Sequence, residues 1–108
     1  MIDVLDPFRE QIAALCQRYG VRRLEVFGSA TTDAFDIERS DFDFLVDFDP
    51  HDHQDLFHRY FDLNDALEKL LRRKVDLVMV DAMKNPFFIE SVNQTRKQIY
   101  AAEVTQTA

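Results

Sequence analysis

The stretch from Asp41 to Phe48 restricts the fold of this chain more than any other segment. Apolar residues alternate in it, with a period of two, with a second set of residues that is mostly acidic. The apolar set is Phe42, Phe44, Val46 and Phe48. A strict alternation indicates a strand with one face buried. Side chains two residues apart on a strand point the same way, so the other face carries Asp41, Asp43 and Asp47 together.

Periodic apolar residues predict the remaining helices and strands. Helices are predicted over 3–19, with the first turn at Asp6-Pro7, over 56–72, and from Asn85-Pro86 onward, where Phe88, Val92 and Ile99 share a face. Strands are predicted over 22–27, 41–48 and 74–80, with a short helix over 29–33 and a loop over 33–40. This order predicts an α/β fold in which a three-stranded sheet is flanked by helices, as a single domain over 1–108 with a frayed tail over 102–108.

Charge and composition restrict the partners. The chain has 108 residues, 20 of them acidic and 13 basic, and its net charge is −7. This balance argues against direct binding of DNA or RNA, because a phosphate backbone needs a basic surface, and it favours a basic partner or a metal ion. One cysteine, Cys16, excludes an internal disulfide framework. No secretion signal or membrane-length apolar run opens the chain, so a cytoplasmic location is expected.

Asp41 and Asp43 are the first candidate site residues. Carboxylates two residues apart on one strand face lie about 6–7 Å apart at the backbone. At about 6 Å, two such charges repel by on the order of 3 kcal/mol at an effective dielectric constant near 20. A divalent cation reverses the sign of that interaction, and oxygen ligands suit Mg²⁺. The structural alternative is an exposed acidic strand that discourages edge-to-edge aggregation.

Asp76 and the Gly28-Ser29 pair complete the candidate site. If the strand that carries Asp76 pairs with the central strand, its carboxylate stands beside Asp41 and Asp43; the alternative is a strand-start Asp that faces solvent. Gly28 allows a tight turn after the strand over 22–27, and the Ser29 hydroxyl can donate to a phosphate. An ordinary turn explains this pair equally well. Only two glycines occur in the chain, which excludes a dinucleotide fingerprint and a Walker A loop.

The combination of these motifs resembles the DNA polymerase β-like nucleotidyltransferase superfamily, and the chain's size resembles its minimal nucleotidyltransferases, the MNT-domain antitoxins. A strand ends in Gly28-Ser29, eleven residues intervene, Asp41-Phe42-Asp43 follows, and Asp76 lies on a later strand. The resemblance implies the nucleotidyltransferase fold with a mixed sheet, ATP as substrate and Mg²⁺ or Mn²⁺ as cofactor. It implies that Gly28 and Ser29 hold the triphosphate and that Asp41, Asp43 and Asp76 bind metal, with Asp76 also assisting deprotonation of the acceptor.

The same resemblance implies a partner, a HEPN-domain ribonuclease toxin, and transfer of AMP to one of its tyrosines in a type VII toxin–antitoxin system. Two alternatives stay open. Many relatives have a basic, glycine-containing run after Gly-Ser, whereas this chain has Ala30-Thr31-Thr32-Asp33, which favours an antitoxin that only binds its toxin. The intact Asp41, Asp43 and Asp76 oppose that alternative. The second alternative is a nucleotidyltransferase for small molecules of the aminoglycoside kind.

Overall fold

The computed structural model describes residues 3–28, 41–51 and 54–102. Ser29, the predicted short helix over 29–33, the loop over 33–40 and nearly all of the tail predicted over 102–108 lie outside these ranges. None of the helices in the described part of the chain has the length and apolar character needed to cross a membrane.

The described residues form three α-helices and four strands. The elements are α1 (Arg9–Arg18), β1 (Val21–Phe27), β2 (Phe42–Phe48), α2 (Leu56–Leu71), β3 (Val75–Met79), α3 (Pro86–Thr95) and β4 (Lys97–Ala101), with short 3₁₀ helices over Asp3–Phe8 and Val80–Ala82. The helix boundaries follow local sequence signals. Gly20, with a φ of +67°, ends the turn after α1. Pro86 starts α3, and the Asn85 side chain accepts the Phe87 amide N–H at 2.9 Å.

The strands form one mixed sheet in the order β3-β2-β1-β4. β1 pairs antiparallel with both β2 and β4, whereas β2 and β3 are parallel and are connected through α2. A parallel pair requires such a crossover, and the intervening helix supplies it. The predicted α/β class and mixed sheet are therefore confirmed.

The two faces of the sheet bury different apolar sets. One face packs against α1 and α2 around the fully buried Phe44, Leu63 and Leu67, which belong to the larger core. The opposite face has a smaller core of Phe27, Leu45 and Val92, the last of these on α3. The strand alternation from Phe42 to Phe48 thus fixes which side chains reach the larger core, as the sequence predicts.

The predicted strand number and the predicted end of the last helix are wrong. α3 ends at Thr95, Arg96 has extended dihedral angles (φ −63°, ψ 136°), and β4 adds a fourth strand that pairs with β1. Ile99 consequently enters the larger core from a strand. The spacing of seven residues from Val92 to Ile99 matches a helical face, so periodicity alone did not separate the two elements.

The predicted first helix is also corrected at its N-terminus. Residues Asp3–Phe8 form a 3₁₀ helix that contains Pro7, and the α-helix begins only at Arg9. Proline lacks an amide N–H and disfavours the α conformation in the residue before it, so it is tolerated only near a helix start. The prediction that places a first turn at Asp6-Pro7 is therefore closer to the structure than the longer helix from residue 3.

We expect the single thiol to be unreactive in the folded protein. Cys16 is fully buried on α1, and burial raises its pKa to about 12. Because the thiolate is the nucleophile, DTNB at pH 8 is expected to leave the native chain unmodified and to titrate one thiol per chain in urea. Rapid modification without denaturant would contradict the burial of Cys16.

Candidate active site

The parallel pairing of β2 with β3 brings two candidate carboxylates side by side. Asp43 and Asp76 are register partners, and the flanking pair is Phe42 and Val75. Asp41 lies one residue before β2 and is exposed. Neighbouring strands are separated by about 4.8 Å, so residues 43 and 76 are adjacent despite 32 intervening positions. Asp76 thus lies beside Asp43, but it is also exposed, as the solvent-facing alternative predicts, so the roles of these residues remain predictions.

The electrostatics of this cluster disfavour three bare charges. Partial burial, then the charge of Asp76, then that of Asp41, raise the pKa of the Asp43 carboxyl above its ordinary value. Over 3–28, 41–51 and 54–102, no group of three His, Cys, Asp or Glu side chains is arranged so that it could hold a metal ion. The chemistry of the donors nevertheless fits Mg²⁺ or Mn²⁺, because both are hard cations that prefer oxygen ligands and complete their coordination with water and substrate phosphate.

Gly28 lies directly against Asp43. β1 pairs with β2 so that Phe27 is opposite Asp43, and Gly28 follows with a φ of +75°. A Cβ atom at position 28 would lie 2.7 Å from Asp43 Oδ2, a shorter distance than Cβ atoms keep from neighbouring atoms in real proteins. Two features therefore require glycine at position 28. One is the left-handed backbone, and the other is the Asp43 carboxylate, which occupies the space that a side chain would need. Gly28 therefore lies against Asp43, which is itself paired with Asp76. Ser29 lies outside the described residues.

Thr95, at the end of α3, holds this turn from the other side. The Gly28 amide N–H donates to Thr95 Oγ1 at 2.9 Å, and the Thr95 hydroxyl donates to the Ser91 carbonyl oxygen at 3.4 Å. The sequence analysis did not identify Thr95, since 67 positions separate it from Gly28. A threonine in the last turn of a helix is the one available signal, and it does not say which amide the hydroxyl contacts.

A partly buried ion pair fixes the end of α3 to β1. Arg96 Nε donates to Glu25 Oε2 at 3.0 Å and Arg96 Nη2 donates to Glu25 Oε1, so the contact is bidentate. Arg96 also donates to Asn93 Oδ1 at 2.7 Å. Glu25 is 8% exposed, and a carboxylate at that depth needs a paired charge. Because Arg96 directly follows Thr95, this pair places the Thr95 hydroxyl beside Gly28.

Comparison with known proteins identifies the class. The pattern of the nucleotidyltransferase domain family matches residues 8–99. The Methanocaldococcus jannaschii protein MJ0128, assigned to the protein adenylyltransferases, is 35% identical over 92 residues, which are 85% of this chain and 90% of that protein. The protein adenylyltransferase MntA of Thermococcus cleftensis is 41% identical over 71 residues, or 66% and 68% of the two chains. The chain belongs to the nucleotidyltransferase domain family.

Solved structures agree with this assignment. A structure described as a minimal nucleotidyltransferase superposes with a TM-score of 0.70 at 33% identity, covering 89% of this chain and 93% of that one. Two complexes share the fold at lower identity. One is the tri-AMPylated HEPN toxin of Shewanella oneidensis with its MNT antitoxin (TM-score 0.59, 21% identity, 87% and 70% covered). The other is a toxin–antitoxin with AMP-PNP (TM-score 0.65, 22% identity, 88% and 74% covered).

We expect Asp43→Asn to be at least as stable as the parent in EDTA at pH 7. The raised pKa means that the native state disfavours the charged form, so its removal relieves a repulsive interaction. Urea denaturation would measure the difference in unfolding free energy. Asp65→Asn is the control, since Asp65 forms an exposed pair with Lys69 and the loss of such a pair changes stability little. A clear loss of stability in Asp43→Asn would mean that the carboxylate is structural.

Gly28→Ala is expected to be destabilising, and part of the cost depends on Asp43. The left-handed backbone alone costs an alanine about 1–3 kcal/mol, and the contact at 2.7 Å adds to it. In an Asp43→Ala background that contact is absent, so the same substitution should cost less, by at least about 0.5 kcal/mol in a double-mutant cycle. Additive effects would show that the Gly28 backbone and the Asp43 side chain are not in contact.

Proposed function

We propose that this chain is an antitoxin that transfers AMP from ATP to a tyrosine hydroxyl of a HEPN-domain ribonuclease toxin in a type VII toxin–antitoxin system. The observation that carries the proposal is the meeting of three sequence segments at one point, where Gly28 packs against Asp43 and Asp43 is paired with Asp76. Membership of the nucleotidyltransferase family and similarity to protein adenylyltransferases support it.

Each residue has a distinct proposed role. The turn at Gly28-Ser29 holds the triphosphate, with the Ser29 hydroxyl donating to a phosphate oxygen. Asp41 and Asp43 hold Mg²⁺ or Mn²⁺, and Asp76 both contributes to metal binding and accepts the proton of the attacking hydroxyl. When bound, the metal supplies positive charge that offsets the triphosphate and the developing charge on the leaving group.

The transfer balances as a single displacement at phosphorus. The tyrosine oxygen forms a bond to the α-phosphorus of ATP, and the bond from that phosphorus to the bridging oxygen of the β-phosphate breaks. Pyrophosphate carries away the electron pair, and the tyrosine proton passes to Asp76. Catalysis of such a transfer rests on positioning of the two reactants and on electrostatic stabilisation, because little covalent chemistry is left to the protein.

The sequence between the two halves of the site favours one competing function. Ala30 to Asp33 has no arginine or glycine and adds a carboxylate where relatives have a basic run. An acidic side chain near a triphosphate weakens its binding, which would suit an antitoxin that masks its toxin without modifying it. A masking antitoxin must match its toxin mole for mole, whereas a catalyst acts substoichiometrically.

That difference provides the test. A HEPN-domain toxin from the same genome, mixed with ATP, Mg²⁺ and a tenth as much of this chain, should gain the mass of one or more AMP groups in intact-protein mass spectrometry. Asp41→Asn and Asp43→Asn should abolish the gain, Asp76→Asn should reduce it strongly, and Asp65→Asn should leave it unchanged. Neutralisation of the toxin at equal stoichiometry with no gain in mass, equally well by the Asp variants, would establish the masking function instead.

A further inference from the structure

The N-terminal half of α2 exposes a cluster of large apolar side chains that the site does not use. Leu56, Phe57 and Phe61 are 45%, 64% and 52% exposed. The ring of Phe61 lies 4.7 Å from that of Phe57 and 5.0 Å from that of Tyr60. Isolated apolar residues on a surface are ordinary, but a contiguous patch rimmed by polar residues is typical of a protein interface.

This patch forms a cavity with the edge of the sheet. A cavity of about 310 Å³ is lined by Leu56, Phe57, Tyr60, Phe61 and Met79, which we call the α2–β3 surface. β3 is an outer strand of the described sheet, so Met79 lies at its margin. Such a cavity suits the apolar side chains of an amphipathic segment rather than a nucleotide, because its lining offers almost no polar group.

An acidic cavity adjoins the α2–β3 surface. This second cavity, of about 350 Å³, shares Leu56 and Met79 with the first and is also lined by Asp47, Asp49 and Asp81. Arg22 pairs with Asp47 at 2.7 Å, and the buried Arg59 hydrogen-bonds the Asp49 carbonyl oxygen. Asp49 and Asp81 line this cavity together with Arg59, and both carboxylates also act on Arg22, so three carboxylates and two guanidinium groups leave one net negative charge around the cavity.

The charge around these cavities indicates which kind of partner binds there. In a two-fold dimer through this surface, both copies would bring their own Asp49 and Asp81 into one interface, since such interfaces pair a patch with itself. Repulsion between these like charges would oppose association of the two copies. A partner that handles RNA must have Lys and Arg on its surface, and an apolar segment flanked by them complements both cavities.

The α2–β3 surface also contacts the strand that carries Asp76, from the opposite face of the sheet. The Tyr60 hydroxyl donates to the carbonyl oxygen of Leu77, the neighbour of Asp76 in β3. Burial, and secondly the charge of Asp76, raise the pKa of Tyr60, so the two side chains are within electrostatic range. A protein seated on this surface would therefore have to extend around the outer strand β3 to reach the Asp43–Asp76 pair on the opposite face.

We infer that the α2–β3 surface is where the HEPN-domain protein docks, through an amphipathic segment with apolar residues on Phe57 and Phe61 and basic residues at Asp49 and Asp81. The identity of the partner rests on the proposed function. The docking surface itself rests on the exposure of the phenylalanines and on the acidic rim.

The test measures binding separately from transfer. The purified HEPN-domain protein would be titrated by calorimetry, without ATP, into the parent chain, into Phe57→Ser/Phe61→Ser and into Phe87→Ser. Phe87 lies on α3 and is 82% exposed, so it controls for the loss of an exposed aromatic ring. We expect the double variant to bind at least about tenfold more weakly and Phe87→Ser to change affinity by less than about twofold. Asp49→Asn/Asp81→Asn should flatten the dependence of affinity on salt.

Other outcomes overturn the inference. Equal affinity of the double variant, or no binding to the parent chain, rejects this surface as the docking site. Sedimentation that shows a dimer of the free parent chain, dissociated by Phe57→Ser/Phe61→Ser, assigns the surface to a second copy. These outcomes are distinguishable from failure of the proposed function. Binding that depends on Phe57 and Phe61, without any transfer of AMP, rejects the catalytic proposal and keeps the docking surface. Transfer of AMP that the double variant does not affect rejects the docking surface and keeps the catalytic proposal.

Discussion

The parallel pairing of β2 with β3 is the contact on which the rest of the site depends. It places Asp43 beside Asp76, and partial burial, followed by the charge of Asp76, raises the pKa of Asp43. The apolar sides of the same two strands offset that cost, because Phe44, Val75 and Leu77 are buried in the larger core. Burial of each such side chain contributes about 1.5–3 kcal/mol, so the core can hold an electrostatically unfavourable cluster in place. The strand alternation thus places the buried apolar side chains on one face and the candidate carboxylates on the other.

Much of the sheet and most of the candidate site could be predicted from local patterns. Asp43 and Asp76 each lie on a strand with clear alternation, and the α2 periodicity between those strands implies the crossover of a parallel pair. Their juxtaposition then needs only the assumption that the strands are neighbours. Gly28 could be predicted as a turn residue, but the reason that it must be glycine could not. Besides the positive φ, that reason is the Asp43 carboxylate, which the β1–β2 register brings to the place of a Cβ atom at position 28.

Tertiary contacts explain what the sequence analysis missed. β4 is five residues long and follows α3 after one extended residue, Arg96. Ile99 fits the continued helical period, and only the open edge of β1 gives this segment a strand partner. Thr95 is missed for a related reason. Its hydroxyl matters because the return of the chain to β1 brings it to Gly28, and no pattern within α3 reports that approach.

The two halves of the site are consequently held by different parts of the fold. The carboxylates sit on strands whose position is set by the core beneath α1 and α2, whereas the Gly28 turn is held by Thr95 at the end of α3, on the opposite face. The Glu25–Arg96 pair connects that helix end to β1 itself. Removing Arg96 would leave the Glu25 charge buried and unpaired, which is costly, so the pair resists displacement of α3 from the strand. The distance between the turn and the carboxylates therefore depends on packing at both faces of one sheet, because β1 and β2 each contribute side chains to both cores.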